Sequence, residues 1–240
     1  MILGVIPARY GSTRFPGKAL ARIHGKPLIQ RVWERAKGCR RLKRLLVATD
    51  DERIAEVVRR FGGEVAMTPK LLPSGTDRVW EAARETPAEI IVNIQGDEPL
   101  VTTRMLDLLI KGLETDPTAE MATLRHAMKG PMGYTDPNVV KVVSAAQGWA
   151  LYFSRSPIPH FRTKTEVWYK HLGLYAYRRS FLERFVQWPP SALEAAEGLE
   201  QLRALERGVK IKVLDSPTDT VGVDTPEDLK RVEEILKEDA

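Results

Sequence analysis

Apolar residues in this chain follow two periods in turn. Short apolar runs at 2–8, 44–49, 64–68 and 89–95 read as buried strands. Between them the apolar positions recur at helical spacing. Over 27–37, Leu28, Ile29, Val32, Trp33 and Ala36 share one face. A second helix opens at the acidic triplet Asp50-Asp51-Glu52 and closes at Gly62-Gly63, and a third spans 76–85. This alternation predicts an α/β fold: a mostly parallel central sheet with helices on both faces.

The second half has a different rhythm. Runs at 139–144 and 149–155 flank Ala145-Ala146-Gln147-Gly148 and predict a hairpin. Residues 172–177 and 209–214 read as strands, and 191–207 as one helix followed by Gly208. Ser156-Pro157-Ile158-Pro159-His160 cannot be helical with its two prolines. Thr225-Pro226-Glu227-Asp228 starts a last helix reaching about 238, with Thr at the cap, Pro in the first turn and then acids. The expectation is a single α/β domain over 1–240, with residues about 130–180 forming a smaller β-containing lobe for sugar binding and dimerisation.

Composition narrows the function. The 240 residues are 43% hydrophobic and 29% charged, enough for a sizeable core. A net charge of +5 suits anionic ligands, but no basic stripe interleaved with aromatics marks a nucleic-acid binder. The basic run Lys37-Gly38-Cys39-Arg40-Arg41-Leu42-Lys43-Arg44 reads as a solvated helix end. Cys39 is the sole cysteine, which excludes an internal disulfide and fits a reducing cytoplasm. The chain opens directly on a strand, so no signal peptide is expected, and no run approaches the roughly 20 apolar residues of a membrane span.

Two stretches carry the chemistry. Val5-Ile6-Pro7-Ala8-Arg9-Tyr10-Gly11-Ser12-Thr13-Arg14-Phe15-Pro16-Gly17-Lys18 is a strand running into a glycine-bearing loop with three cations, then a helix. Phosphates need that equipment: backbone N–H groups freed by glycine, plus Arg and Lys charge. The loop is not a Walker A motif, because five residues separate Gly11 from Gly17 and Ala19 follows Lys18. It also lacks G-x-G-x-x-G. The second stretch, Ile90-Ile91-Val92-Asn93-Ile94-Gln95-Gly96-Asp97, ends a buried run on a carboxylate. Such a carboxylate is costly unless paired or bound to a cation. Asp224 alone reads as a capping acid; beside Asp97 it supplies a second carboxylate for Mg²⁺ on a nucleoside triphosphate. Gly75-Thr76-Asp77-Arg78 is either an ordinary N-cap, on Ser74 or Thr76, or a nucleotide contact through backbone groups and Arg78.

These motifs, with Ala48-Thr49-Asp50-Asp51, Asp136-Pro137-Asn138-Val139-Val140-Lys141, Ser154-Arg155-Ser156-Pro157-Ile158-Pro159, Leu199-Glu200-Gln201-Leu202-Arg203 and Gly222-Val223-Asp224-Thr225-Pro226, run essentially end to end. Together they resemble the 3-deoxy-manno-octulosonate cytidylyltransferase family, the CMP-Kdo synthetases. One departure is Ala19, where relatives often carry Pro. The resemblance implies a nucleotide-diphospho-sugar transferase-like fold and attack of the Kdo anomeric hydroxyl on the α-phosphate of CTP. CMP-Kdo and pyrophosphate leave, for lipopolysaccharide biosynthesis.

It also implies residue roles. Arg9, Arg14 and Lys18 hold the triphosphate, with Pro7, Ala8, Gly11 and Ser12 beside them. Ser74, Gly75, Thr76 and Arg78 seat the cytidine, and Asp97 and Asp224 hold Mg²⁺. Lys18, Arg9, Asp97 and Asp224 form the catalytic set. Arg155 pairs with the Kdo carboxylate, while His171, Tyr175, Glu200 and Gln201 bind sugar hydroxyls. Gln95 serves both substrates. A cytoplasmic homodimer follows from the resemblance, with no nucleic-acid or membrane partner. The alternatives are the same chemistry on 8-amino Kdo, and a non-catalytic nucleotide sensor. A sensor favours loss of Lys18, Asp97 or Asp224, and all three are present.

Overall fold

The computed structural model describes residues 1–11, 14–164 and 167–238. These form two compact units, Met1–Asp107 with Thr220–Ala240, and Leu108–Asp219. The first unit begins with β1 (Ile2–Ala8), a short ribbon of β2 (Arg22–Ile23) and β3 (Lys26–Pro27), and α1 (Leu28–Lys37). Next come β4 (Arg44–Thr49), α2 (Glu52–Arg60), β5 (Glu64–Met67), α3 (Gly75–Ala83) and β6 (Ile90–Asn93). Apart from the antiparallel β2–β3 ribbon, its strands lie in the order β6-β1-β4-β5 and every neighbouring pair is parallel, as the alternation predicts.

The apolar face expected of α1 is the buried one: Leu28, Ile29, Val32, Trp33 and Ala36 are all in the core. Asp51 caps α2, accepting from Arg53 N. Ser74 caps α3, accepting from Thr76 N and Asp77 N. The register sets Ala8 beside Thr49 and Val5 beside Asn93, so the carboxyl ends of β1, β4 and β6 share one edge. That edge is where ligands bind in open α/β sheets.

Two elements that the periodicity left unread follow, α4 (Thr103–Glu114) and β7 (Met121–Lys129). The second unit continues with β8 (Lys141–Ser144), β9 (Ala150–Ser154), β10 (Val167–Arg178) and α5 (Arg179–Phe185). The expected hairpin is present as β8 and β9, paired antiparallel from Lys141↔Ser154. Strand β10 runs antiparallel to β7 with a bulge between Leu172 and Tyr175, and β11 (Ile211–Asp215) runs parallel to β7.

The single helix expected over 191–207 is in fact two, α6 (Ala192–Glu197) and α7 (Gln201–Glu206). Gly198 breaks it: its φ of 63° places it in the left-handed region that ends helices. The chain then closes the first unit with α8 (Pro226–Glu238). There Val232 and Leu236 pack with Ile23, Leu28 and Val223.

Candidate functional site

Four segments of the first unit line a cavity of about 260 Å³. Strand β1 and the loop after it contribute Pro7, Ala8, Arg9, Arg14 and Lys18. The start of α3 adds Ser74, Gly75 and Arg78. Gln95, Gly96 and Asp97 come from the loop after β6, and Asp224 from the turn before α8. Two glycines permit this convergence. A Cβ on Gly96 would meet Pro7 O at 2.7 Å, so only glycine lets the β6 loop close on β1. Gly17 has φ 72° and donates its N–H to Tyr10 O at 2.9 Å, folding the loop back to present Lys18.

The charges in the cavity are paired across the sequence. Lys18 Nζ donates to Asp97 Oδ2 at 2.6 Å, Asp224 Oδ1 at 3.1 Å and Val223 O at 3.0 Å. Arg14 Nη2 lies 3.0 Å from Asp224 Oδ2. Burial works against the Lys18 ammonium. The charges and hydrogen bonds of Asp97, then Asp224, outweigh it and hold its pKa above the usual lysine value. Val223 N donates to Asp97 O at 2.8 Å, which fastens the C-terminal turn to the β6 loop.

The capping alternative for Asp224 fails on geometry. Asp228 Oδ2 accepts from Thr225 N at 2.9 Å and Asp224 N at 3.1 Å, and Asp228 N donates to Thr225 Oγ1 at 3.2 Å. Thr225 and Asp228 therefore cap α8, and the Asp224 carboxylate turns to Lys18 and Arg14 instead.

Other expected nucleotide residues divide. Arg78 lines the cavity but is buried, and its guanidinium faces Thr68 Oγ1, Pro69 O and Asp50, whose Oδ2 lies 3.3 Å from Nη2. Ser74 caps α3 and also lines the cavity. Thr76 is buried and Gly11 is exposed, and both lie outside the lining. Ser12 lies outside the described residues. Gln95 Nε2 donates to Asn93 Oδ1 at 3.0 Å. Sequence reasoning missed the lining residues Ala19 and Leu72, and Asp50 as the partner of Arg78. The signal for Asp50 was its place directly after β4, one step along the sheet edge from Arg9.

Of the expected sugar residues of the second unit, Tyr175 and Gln201 hydrogen-bond each other, His171 lies beside Tyr175, and Arg155 bonds elsewhere. His171 is buried, and burial lowers its pKa to about 3, so the ring is neutral. Thr123 Oγ1 donates to Leu174 O at 2.9 Å, which leaves it to accept from His171 Nε2 at 2.9 Å. The His171 and Tyr175 rings lie 5.6 Å apart. Burial, then Tyr177 and Glu200, push the Tyr175 hydroxyl well above the usual tyrosine range. That hydroxyl donates to Gln201 Oε1 at 3.2 Å, and Gln201 Nε2 is buried with no partner among the described residues. Glu200 is half-buried at the start of α7. Arg155 Nε donates to Glu197 O at 2.7 Å and Nη1 to Pro137 O at 2.9 Å.

Among the described residues no group of three or more His, Cys, Asp or Glu side chains gathers as a metal site. The Asp97–Asp224 pair nevertheless fits a hard divalent cation. Both carboxylates already converge on one positive nitrogen, and Mg²⁺ takes one or two protein carboxylates and completes its shell with phosphate oxygens and water.

The chain is similar to known proteins over nearly its whole length. The family model for cytidylyltransferases matches residues 3–211. A 3-deoxy-manno-octulosonate cytidylyltransferase of Geobacter sulfurreducens is 51% identical, covering 98% of this chain and 99% of its own. One from Syntrophobacter fumaroxidans is 53% identical, covering 100% and 98%. The solved structure of a CMP:2-keto-3-deoxy-manno-octonic acid synthetase complexed with CTP superposes with a TM-score of 0.95 at 44% identity, covering 100% of this chain and 99% of the other. With near-complete coverage at such identity, this chain belongs to the cytidylyltransferase family, among the 3-deoxy-manno-octulosonate cytidylyltransferases.

Proposed function

We propose that this chain transfers the cytidylyl group of CTP to the anomeric hydroxyl of Kdo, giving CMP-Kdo and pyrophosphate for lipopolysaccharide biosynthesis. The observation that carries this reading is the cavity where Arg9, Arg14 and Lys18 meet Asp97 and Asp224, in a chain whose relative was solved with CTP. The anomeric oxygen bonds to the α-phosphorus as the bond to pyrophosphate breaks, and the hydroxyl proton passes to water. Such phosphoryl transfer is governed by positioning and charge neutralisation.

Arg9, Arg14 and Lys18 bind the triphosphate and neutralise pyrophosphate as it departs. Ser74, Gly75 and Arg78 seat the cytidine. Asp97 and Asp224 would hold Mg²⁺, which would supply positive charge to offset that of the phosphates. Arg155 recognises the Kdo carboxylate. Its two bonds to carbonyls leave guanidinium donors for a second, forked contact. Neutral His171, with Tyr175, Glu200, Gln201 and Gln95, binds hydroxyls, and the unpartnered Gln201 Nε2 supports that role.

The test is pyrophosphate release with CTP, Mg²⁺ and Kdo, run beside ATP, UTP, GTP, sialic acid and 8-amino Kdo. Release confined to CTP plus Kdo is expected. Release with another sugar acid moves the specificity argument onto Arg155, His171 and Tyr175. No release from a folded protein that binds CTP makes it a sensor. The same reading takes a homodimer working in the cytoplasm, and a monomer mass by light scattering would overturn the dimer.

A further inference from the structure

The carboxylates assigned to the metal are already neutralised by the protein's own cations. Lys18 Nζ touches both, at 2.6 Å from Asp97 Oδ2 and 3.1 Å from Asp224 Oδ1. Arg14 Nη2 takes the second Asp224 oxygen at 3.0 Å. Two negative charges therefore face two positive ones. A divalent ion approaching the nucleotide-free cavity meets an ammonium between its two ligands, and like charges that close repel.

The two cations are held differently. The Lys18 side chain is 17% exposed and is tied further to Val223 O, whereas that of Arg14 is 62% exposed. Arg14 moves easily; Lys18 moves only if something replaces what it leaves. Both line the cavity, so a triphosphate entering it offers each a denser set of anionic oxygens than one carboxylate does.

We propose that Lys18 is a built-in competitor for the divalent cation, keeping the Asp97–Asp224 pair closed to metal until a nucleoside triphosphate draws its ammonium away. This rests on the reading of those two aspartates as metal ligands. Metal then loads with or after the nucleotide, and each strengthens the binding of the other by the same factor. A single flexible side chain thus serves two successive partners, carboxylates first and phosphates second.

The test measures Mn²⁺ binding to nucleotide-free protein, by the loss of the free-ion electron paramagnetic resonance signal. Wild type is expected to bind weakly, Lys18→Met at least tenfold more tightly, and Lys18→Arg as weakly as wild type. The gain should vanish in Lys18→Met combined with Asp97→Asn. Circular dichroism checks folding. Should Lys18→Met misfold, Lys18→Gln keeps a donor for Val223 O and carries the same expectation. Equal binding by folded wild type and Lys18→Met overturns the competitor. If wild type alone binds tightly and Asp97→Asn abolishes that, the competitor falls while the metal assignment stands. If no variant binds Mn²⁺, the competitor falls; if the gain survives in the double variant, the metal assignment falls and the competitor with it.

Discussion

Two polar clusters of this chain handle charge in opposite ways. In the cavity of the first unit, charge meets charge: Lys18 joins Asp97 and Asp224, and Arg14 joins Asp224. Around Lys141 and Arg178 in the second unit, cations are anchored on main-chain carbonyls instead. The Lys141 ammonium donates to Asp136 O at 2.9 Å, Val139 O at 2.6 Å and Arg155 O. Arg178 serves Leu113 O, Asp116 O and Ala119 O in the same manner. A polyanion can redistribute paired charges, because each partner finds a new one. It cannot take a cation from three carbonyls without leaving them to find another donor. The first cluster is set to rearrange around an anion, and the second is fixed in place.

The contrast is tested most severely at Asp97 and Lys141. Asp97→Asn should lower kcat by about 10²–10³, the scale for losing one charge-stabilising group, while the unfolding midpoint barely moves. Turnover at the wild-type rate, read as pyrophosphate release, would remove Asp97 from the machinery. Lys141→Met should do the reverse. Its side chain is fully buried, so the variant strands three carbonyls and costs about 3 kcal/mol in urea unfolding. A cost below about 1 kcal/mol would mean water replaces the ammonium, and the second cluster would not be rigid in the sense argued.

The same contrast explains what the sequence made legible. The first unit could be read almost directly, because aliphatic strands buried on both faces and helices with one apolar stripe give clean periods. Its cavity lining could be read too, because Arg14, Lys18 and Asp97 stand just past strand ends. Asp50 and its bond to Arg78 were hidden, since ion pairing between distant positions leaves no periodic trace.

The second unit resisted. Strand β7 reads Met-Ala-Thr-Leu-Arg-His-Ala-Met-Lys, with no clean alternation, because only its first four residues are fully buried. The break in 191–207 turned on one glycine, Gly198, inside a helix-like apolar pattern. The duty of Lys141, holding three carbonyls, belongs to tertiary structure alone.

A third prediction probes the second unit through pH. His171 has a pKa of about 3 in the fold, below its ordinary 6.5, because burial disfavours its charged form. Between those values the unfolded ring binds a proton that the folded ring refuses. Its contribution to stability is therefore complete above pH 6.5 and drains as pH falls toward 3. The slope from this one group is about 1.4 kcal/mol per pH unit. His171→Gln keeps a donor for Thr123 and removes the titration, so its urea midpoints should fall less steeply with acid than those of wild type. Parallel pH curves would mean that the ring is hydrated and that the region is looser than its hydrogen bonds indicate.

The finest comparison sets one chemistry in both regions. Ser74 caps α3, and Ser191 caps α6 in a capping box with Glu194. Each serine satisfies N–H groups that would otherwise lack a partner, so Ser74→Ala and Ser191→Ala should each cost about 1 kcal/mol of stability. Their functional consequences should differ, because only Ser74 also lines the cavity. Loosening the first turn of α3 shifts Gly75 and Arg78 and should raise KM for CTP by about fivefold, the equivalent of that same 1 kcal/mol. Ser191→Ala should leave KM for CTP unchanged. If both variants raise it equally, helix stability alone governs nucleotide binding, and the start of α3 is a structural cap that merely borders the cavity. If only Ser74→Ala does, the serine left undecided by its spacing holds the helix and the nucleotide at once.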